Sequence, residues 1–188
     1  MKRKRYVLPV LTVIALAGLS GGARAQFSST PPDFIAPLQG RQENPAVATG
    51  ATGLVQFRLI NRGDTLFYRL VVHNIHNVVA AHIHMAPKGM NGPVVAFLLT
   101  PQPPGGGEVD GTLVEGEIEQ DDLVGPLEGQ SLSVLLEAMR TEGIYANVHT
   151  NDGVDPANTG PGDFPNGEIR GQVRRARDHS PQSTDPDE

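Results

Sequence analysis

Between Gly53 and Ile60 apolar and polar residues alternate, with Val55, Phe57 and Leu59 on one face and Gln56 and Arg58 on the other. Thr65 to Asn74 repeats the pattern with Leu66, Tyr68, Leu70 and Val72. Period-two alternation predicts half-buried antiparallel strands. Asn61-Arg-Gly-Asp64 between them predicts a hairpin turn. Val79 to Met85 alternates again: Val79, Ala81, Ile83 and Met85 face a core, while Ala80, His82 and His84 face away from it. Ile144 to Thr150 does the same, with Ile144, Ala146 and Val148 opposite Tyr145, Asn147 and His149. In the last strand, Gly167 to Arg174, Ile169 and Val173 oppose Glu168, Arg170 and Gln172.

Three further segments are less regular. Phe34 to Leu38 reads as a strand that Pro37 confines to an edge or a bulge. Val94 to Leu99 is a short continuous apolar run, which predicts a strand covered on both faces. Gly111 to Glu119 alternates more loosely. Ser131 to Arg140 breaks the strand period: Leu132, Leu135, Leu136 and Met139 recur at helical spacing. Ser131 is the expected N-cap, Glu137 and Arg140 are spaced for a surface pair, and Gly143 supplies the stop. Short strands, turns dense in Gly and Pro, and one helix predict an all-β fold, an antiparallel Greek-key β-sandwich or barrel.

The faces turned away from the core carry the candidate chemistry. His82 and His84 have Cα atoms roughly 7 Å apart, at about 3.3 Å per residue, and His149 occupies the matching face of a later strand. Three imidazoles from two strands suit zinc or copper, both of which accept neutral His nitrogen. Glu168 is a candidate fourth ligand, or an acceptor for an imidazole N–H. Arg170 is a candidate contact for a small anion or carboxylate. The same residues with Asn147 also suit a buried hydrogen-bond and salt-bridge network that closes one end of the fold without any metal. A third alternative makes them unrelated surface positions. His73 and His76 read as partly exposed structural histidines, and His179 falls in the tail. The acidic loop 151–163 lacks the ligand spacing of an EF-hand calcium loop.

Composition narrows the setting. The chain has 188 residues and a net charge of −6. Lys2-Arg-Lys-Arg5, the apolar run Val7 to Leu19 and Ala23-Arg-Ala25 read as a signal peptide over residues 1–25, too short for a comfortable membrane span. Cleavage after Ala25 removes five basic residues and no acid, which leaves a mature net charge of about −11. Nucleic acid and anionic membrane surfaces are disfavoured as partners. Residues 26–32 read as a flexible lead-in, 33–174 as one domain, and 175–188 as a disordered polar tail. Cysteine is absent, so the exported domain relies on its core and not on disulfides. No Gly-x-Ser-x-Gly elbow stands in the mature part, and no phosphate loop or dinucleotide fingerprint occurs.

The segments Leu38-Gln-Gly40 with Glu43-Asn-Pro45, Ala81-His-Ile-His84, Gly89-Met-Asn-Gly-Pro-Val94, Tyr145-Ala-Asn-Val-His-Thr150 and Asn166-Gly-Glu-Ile-Arg-Gly-Gln172 together resemble the CHRD domain, the chordin-type module. The resemblance spans Asp33 to Arg174. It implies an extracellular or periplasmic β-rich module. This chain departs from the family pattern at Met85, where Gly is common, and in the long segment between Thr150 and Asn166. A looser similarity is to Cu/Zn superoxide dismutase, an antiparallel Greek-key sandwich with a His-x-His strand, a later Val-His strand and an Arg near the C-terminus. His82-Ile-His84, Val148-His149 and Arg170 follow that order, but the bridging histidine and the zinc loop have no counterpart.

The expected function is that of a secreted or periplasmic, non-enzymatic binding module with a His-lined site. Its expected partner is a copper or zinc ion or an unidentified extracellular protein. Two alternatives stand beside it: a copper-dependent redox enzyme of superoxide-dismutase-like type, and a purely structural or adhesive domain.

Overall fold

A computed structural model describes residues 31–176. The expected signal peptide, most of the lead-in, His179 and the tail beyond residue 176 lie outside the described residues. Nine strands and one α-helix follow in chain order: β1 Phe34–Gln39, β2 Thr52–Ile60, β3 Thr65–His76, β4 Val78–Met85, β5 Val94–Leu99, β6 Glu108–Ile118, α1 Leu132–Arg140, β7 Ile144–Thr150, β8 Ile169–Gln172 and β9 Arg174–Arg175.

All strands pair antiparallel in one continuous sheet of order β5-β4-β7-β8-β1-β2-β3-β6, with β9 on β1. The strands, expected in an antiparallel sandwich or barrel, form one sheet that curls until its edges β5 and β6 approach each other. Two halves, β5-β4-β7-β8 and β1-β2-β3-β6, meet at the single pair Gln39↔Arg170 between β1 and β8. The Tyr68 hydroxyl donates to the Leu98 carbonyl at 2.7 Å and ties β3 to β5 across the other seam.

Most of the alternating residues point as their spacing predicts; Val79 does not, because the β4–β7 ladder slips between Val78 and Ala80, and Val78 takes the core position in its place. Val55, Phe57, Leu66, Leu70, Val72, Ala81, Ile83, Ala146, Val148 and Ile169 all join one buried apolar cluster. Each large side chain of this kind contributes about 1.5–3 kcal/mol when fully buried. Leu132, Leu135, Leu136 and Met139 of α1 enter the same cluster, so the helical stripe is core. Glu137 and Arg140 pair at 3.4 Å.

Four local expectations change. Ser131 stands at the N-cap position of α1 as expected, but its side chain makes no capping bond; its hydroxyl bonds the Ser133 hydroxyl at 2.7 Å. β1 is internal and not an edge, because β2 covers one side while β8 and β9 share the other. Pro37 is tolerated there because it falls between Ile35 and Gln39, where the pairings to β9 and β8 leave a gap. β5, expected to be covered on both faces, is a sheet edge and leaves Phe97 42% exposed. Arg175 pairs with Phe34, one residue beyond the domain boundary expected from sequence.

Candidate metal centre

β4, β7 and β8 are neighbours, so their faces turned away from the core form one surface. Register sets its contents. His82 stands opposite Asn147, His84 opposite Tyr145, and Asn147 opposite Arg170. The β4–β5 ladder slips between Ala81 and His82 and again between Ile83 and His84. Bulges of this kind re-aim side chains. Three connections supply further contacts to this face: residues 40–47, 87–93 and 151–167.

Within this surface one ring nitrogen from each of His82, His84 and His149 lies within 4.8 Å of the other two. It is the only such group of three metal-ligating side chains among the described residues. His149 Nδ1 donates to the Pro165 carbonyl at 2.9 Å, and His84 Nδ1 to the Gly92 carbonyl at 2.9 Å. A backbone carbonyl only accepts, so each contact places the proton on Nδ1 and leaves a lone pair on Nε2. His84 Nε2 is buried and has no partner. His149 Nε2 lies 3.1 Å from His82 Nδ1 and 3.1 Å from Asn147 Oδ1. Asn147 also interacts with the Glu43 carboxyl and with the His84 ring, so its amide links both to His149. An amide oxygen has no proton to give.

Electrostatics keep the three rings neutral. Burial, then repulsion from His149 and His84, pushes His82 down to about 4. Burial also lowers His84 and His149, against the opposing pull of their carbonyl partners and, for His84, of the Asn147 side chain. Neutral imidazoles present free lone pairs, the form that ligates a metal. At bonds of about 2.0–2.1 Å and tetrahedral angles, two ligands of one ion stand roughly 3.4 Å apart. From 4.8 Å at most, the group therefore closes on an ion by up to about 1.4 Å, a side-chain adjustment.

The other expected residues divide. Asn147 and Arg170 are at the site, 3% and 2% exposed. The Arg170 guanidinium carbon lies 3.4 Å from the centre of the Tyr145 ring, and His84 stacks on that ring at 4.7 Å and 6°. Tyr145 sits on the strand between them, so it separates imidazole from guanidinium while touching both. Glu168 is not brought to the histidines. Its Oε1 accepts from Thr49 Oγ1 at 2.6 Å, and its Oε2 from Thr150 Oγ1 at 2.6 Å and the Gly162 N–H at 2.9 Å. It pins the 151–166 segment, and through it the Pro165 carbonyl that orients His149. Nor does Glu168 pair with Arg170, whose hydrogen bonds go to Asn91 Oδ1 at 2.8 Å and the Met90 carbonyl at 2.6 Å. His73 is exposed and meets Asp110 at 2.7 Å.

Three contributors escape a reading by periodicity. Tyr145 shares the alternation of Asn147 and His149 and was legible as a face residue, though not as a stacking plate. Glu43 comes from a turn far away in sequence. The Gly92 and Pro165 carbonyls carry no side-chain signal at all.

Among the described residues no helix is long and apolar enough to cross a membrane. Searches of curated proteins and of solved structures found no match. The family model of the CHRD domain matches residues 34–173, a span that holds every residue of the histidine cluster and its supports. The chain belongs to the CHRD domain family.

Proposed function

We propose that this protein is an exported metal-binding module whose His82, His84 and His149 hold one copper or zinc ion. The carrying observation is the donor count of the cluster. Backbone carbonyls fix the protons of His84 and His149 on Nδ1, and His84 Nε2 is left buried with no partner. A self-contained polar network satisfies its buried groups; this one leaves His84 Nε2 unsatisfied beside the His82–His149 contact. Three neutral His ligands match the preferences of zinc and copper. Zinc would supply a Lewis acid and copper a one-electron couple. Residues 1–25 support export, since they carry the basic, apolar and small-residue segments of a signal peptide in order.

Metal analysis of protein purified without a histidine tag tests the site. One equivalent of copper or zinc is expected, falling to background in His84→Ala. Background metal in the wild type after loading and desalting would end the proposal. Superoxide-dismutating or oxidase turnover that vanishes with His84→Ala would replace the binding module with an enzyme. N-terminal sequencing of protein recovered outside the cytoplasm should begin at Gln26.

A further inference from the structure

A polar cavity of about 460 Å³ is lined by Arg41, Gln42, Glu43, Lys88, Arg170 and Gln172 among others, and Arg170 joins it to the histidine surface. We propose that this cavity binds a small organic carboxylate, held by the buried Arg170 guanidinium with Arg41 and Lys88 at the opening.

Arg170 carries the case. It is among the largest fully buried side chains in the protein. Its hydrogen bonds end on neutral oxygens of Asn91 and Met90, and its face lies on Tyr145. No carboxylate forms a salt bridge with it among the described residues. A buried charge ordinarily has a counter-charge, because desolvation is costly. A guanidinium offers five N–H groups, in a planar fork that matches a carboxylate. Two of its hydrogen bonds are accounted for, so donors remain.

Glu43 is the nearest candidate counter-charge and is an incomplete one. Burial outweighs the attraction of Arg170 and raises its carboxyl to about 7. Its Oε1 is buried without a hydrogen-bond partner. In its protonated form the carboxyl can donate to an incoming anion. Arg41 and Lys88 are exposed at the same cavity and add positive charge, in a chain whose net charge is −6.

The walls are pre-formed. Gln42 Nε2 donates to the Pro37 carbonyl, Asn44 Nδ2 to the Gly89 carbonyl, and Gln172 Nε2 to the Ala86 and Glu142 carbonyls. These bonds fix the loops around the opening; Arg41 donates through Nε to Gln39 Oε1 at 2.7 Å, which leaves its terminal N–H groups, with Lys88 and the remaining Arg170 donors, for recognition. The volume falls in the range of small-molecule pockets, about 300–1,000 Å³, well beyond the needs of an inorganic ion. The proposal does not rest on a metal at the histidines.

Titration calorimetry with acetate, succinate and citrate at constant ionic strength, beside inorganic phosphate, tests it on chelator-treated protein. At least one carboxylate should bind at one equivalent with Kd below about 1 mM. Arg170 is buried and its replacement perturbs the fold, so the exposed variants Arg41→Glu and Lys88→Glu serve as the test. Each should weaken binding about tenfold or more while leaving the ligand-free melting temperature unchanged. No saturable carboxylate binding, tighter binding of phosphate, wild-type affinity in both variants, or binding seen only in metal-loaded protein would each overturn the proposal.

Discussion

His82 Nδ1 stands 3.1 Å from His149 Nε2, across the ladder that joins β4 to β7. In neutral rings His82 Nδ1–H donates this hydrogen bond to the only lone pair His149 can offer. A bound ion replaces the contact and engages the orphaned His84 Nε2 as well. Saturation with copper or zinc should therefore stabilise the fold, by about 2.7 kcal/mol at one hundred times Kd. Differential scanning fluorimetry with and without chelator reads this as a rise in melting temperature. His82→Ala, His84→Ala and His149→Ala should each erase the rise.

Protonation should act on the metal-free protein in two opposed directions. His82 titrates near 4 when folded and near 6.5 when unfolded, so the unfolded state binds the extra proton between those values. Stability is lost as pH falls from about 6.5 toward 4, by on the order of 2 kcal/mol once solvent screening of this half-buried ring is allowed for. Glu43 has the opposite sign. Its folded carboxyl titrates near 7 and its unfolded one near 4.5, so its contribution is full below 4.5 and lost as pH rises to about 7. Urea unfolding from pH 4 to 8 should show a shallower acid limb in His82→Phe and a smaller loss toward neutrality in Glu43→Gln.

Glu168 should be required for stability before it is required for any ligand. It is fully buried, with two hydroxyls and one backbone N–H on its carboxyl oxygens. Glu168→Ala orphans those donors and should cost at least about 3 kcal/mol. The melting temperature measures this. Increased proteolytic nicking between residues 151 and 166 would show that the loss begins in the segment Glu168 anchors.

Gly92 should tolerate no side chain. A Cβ there would fall on the Met85 carbonyl group. The same loop orients His84 through the Gly92 carbonyl and holds Arg170 through Asn91 and Met90. Gly92→Ala should cost about 1–3 kcal/mol by overpacking. It should also weaken both metal and carboxylate binding, whereas the remote core change Leu135→Ala should lower stability and leave both affinities intact.

Much of the fold was legible in the sequence because side-chain alternation is local. Val55, Phe57, Ile83 and Val148 declare their burial through period two, and Leu132, Leu135 and Leu136 through the helical period. Val94 to Leu99 misled because a continuous apolar run does not say whether its strand has one neighbour or two. Pro37 misled for a related reason: its missing N–H excludes a hydrogen bond at one residue, and β1 has a gap at that residue. Glu168 shared the alternation of Arg170, yet a strand pattern does not reveal which loop folds over its start.

The sequence by itself determined which side chains share a face. His82 and His84, then Asn147 and His149, then Arg170, were each placed opposite a core stripe by alternation alone. Only the tertiary structure decided that β4, β7 and β8 are adjacent, that Gly92 and Pro165 carbonyls turn two imidazole lone pairs inward, and that Arg170 faces a cavity in place of a carboxylate. The physical reason is range. Alternation is fixed by backbone geometry between neighbouring residues. Tautomer, charge pairing and ligand convergence depend on groups that loops and strand order bring together from distant parts of the chain.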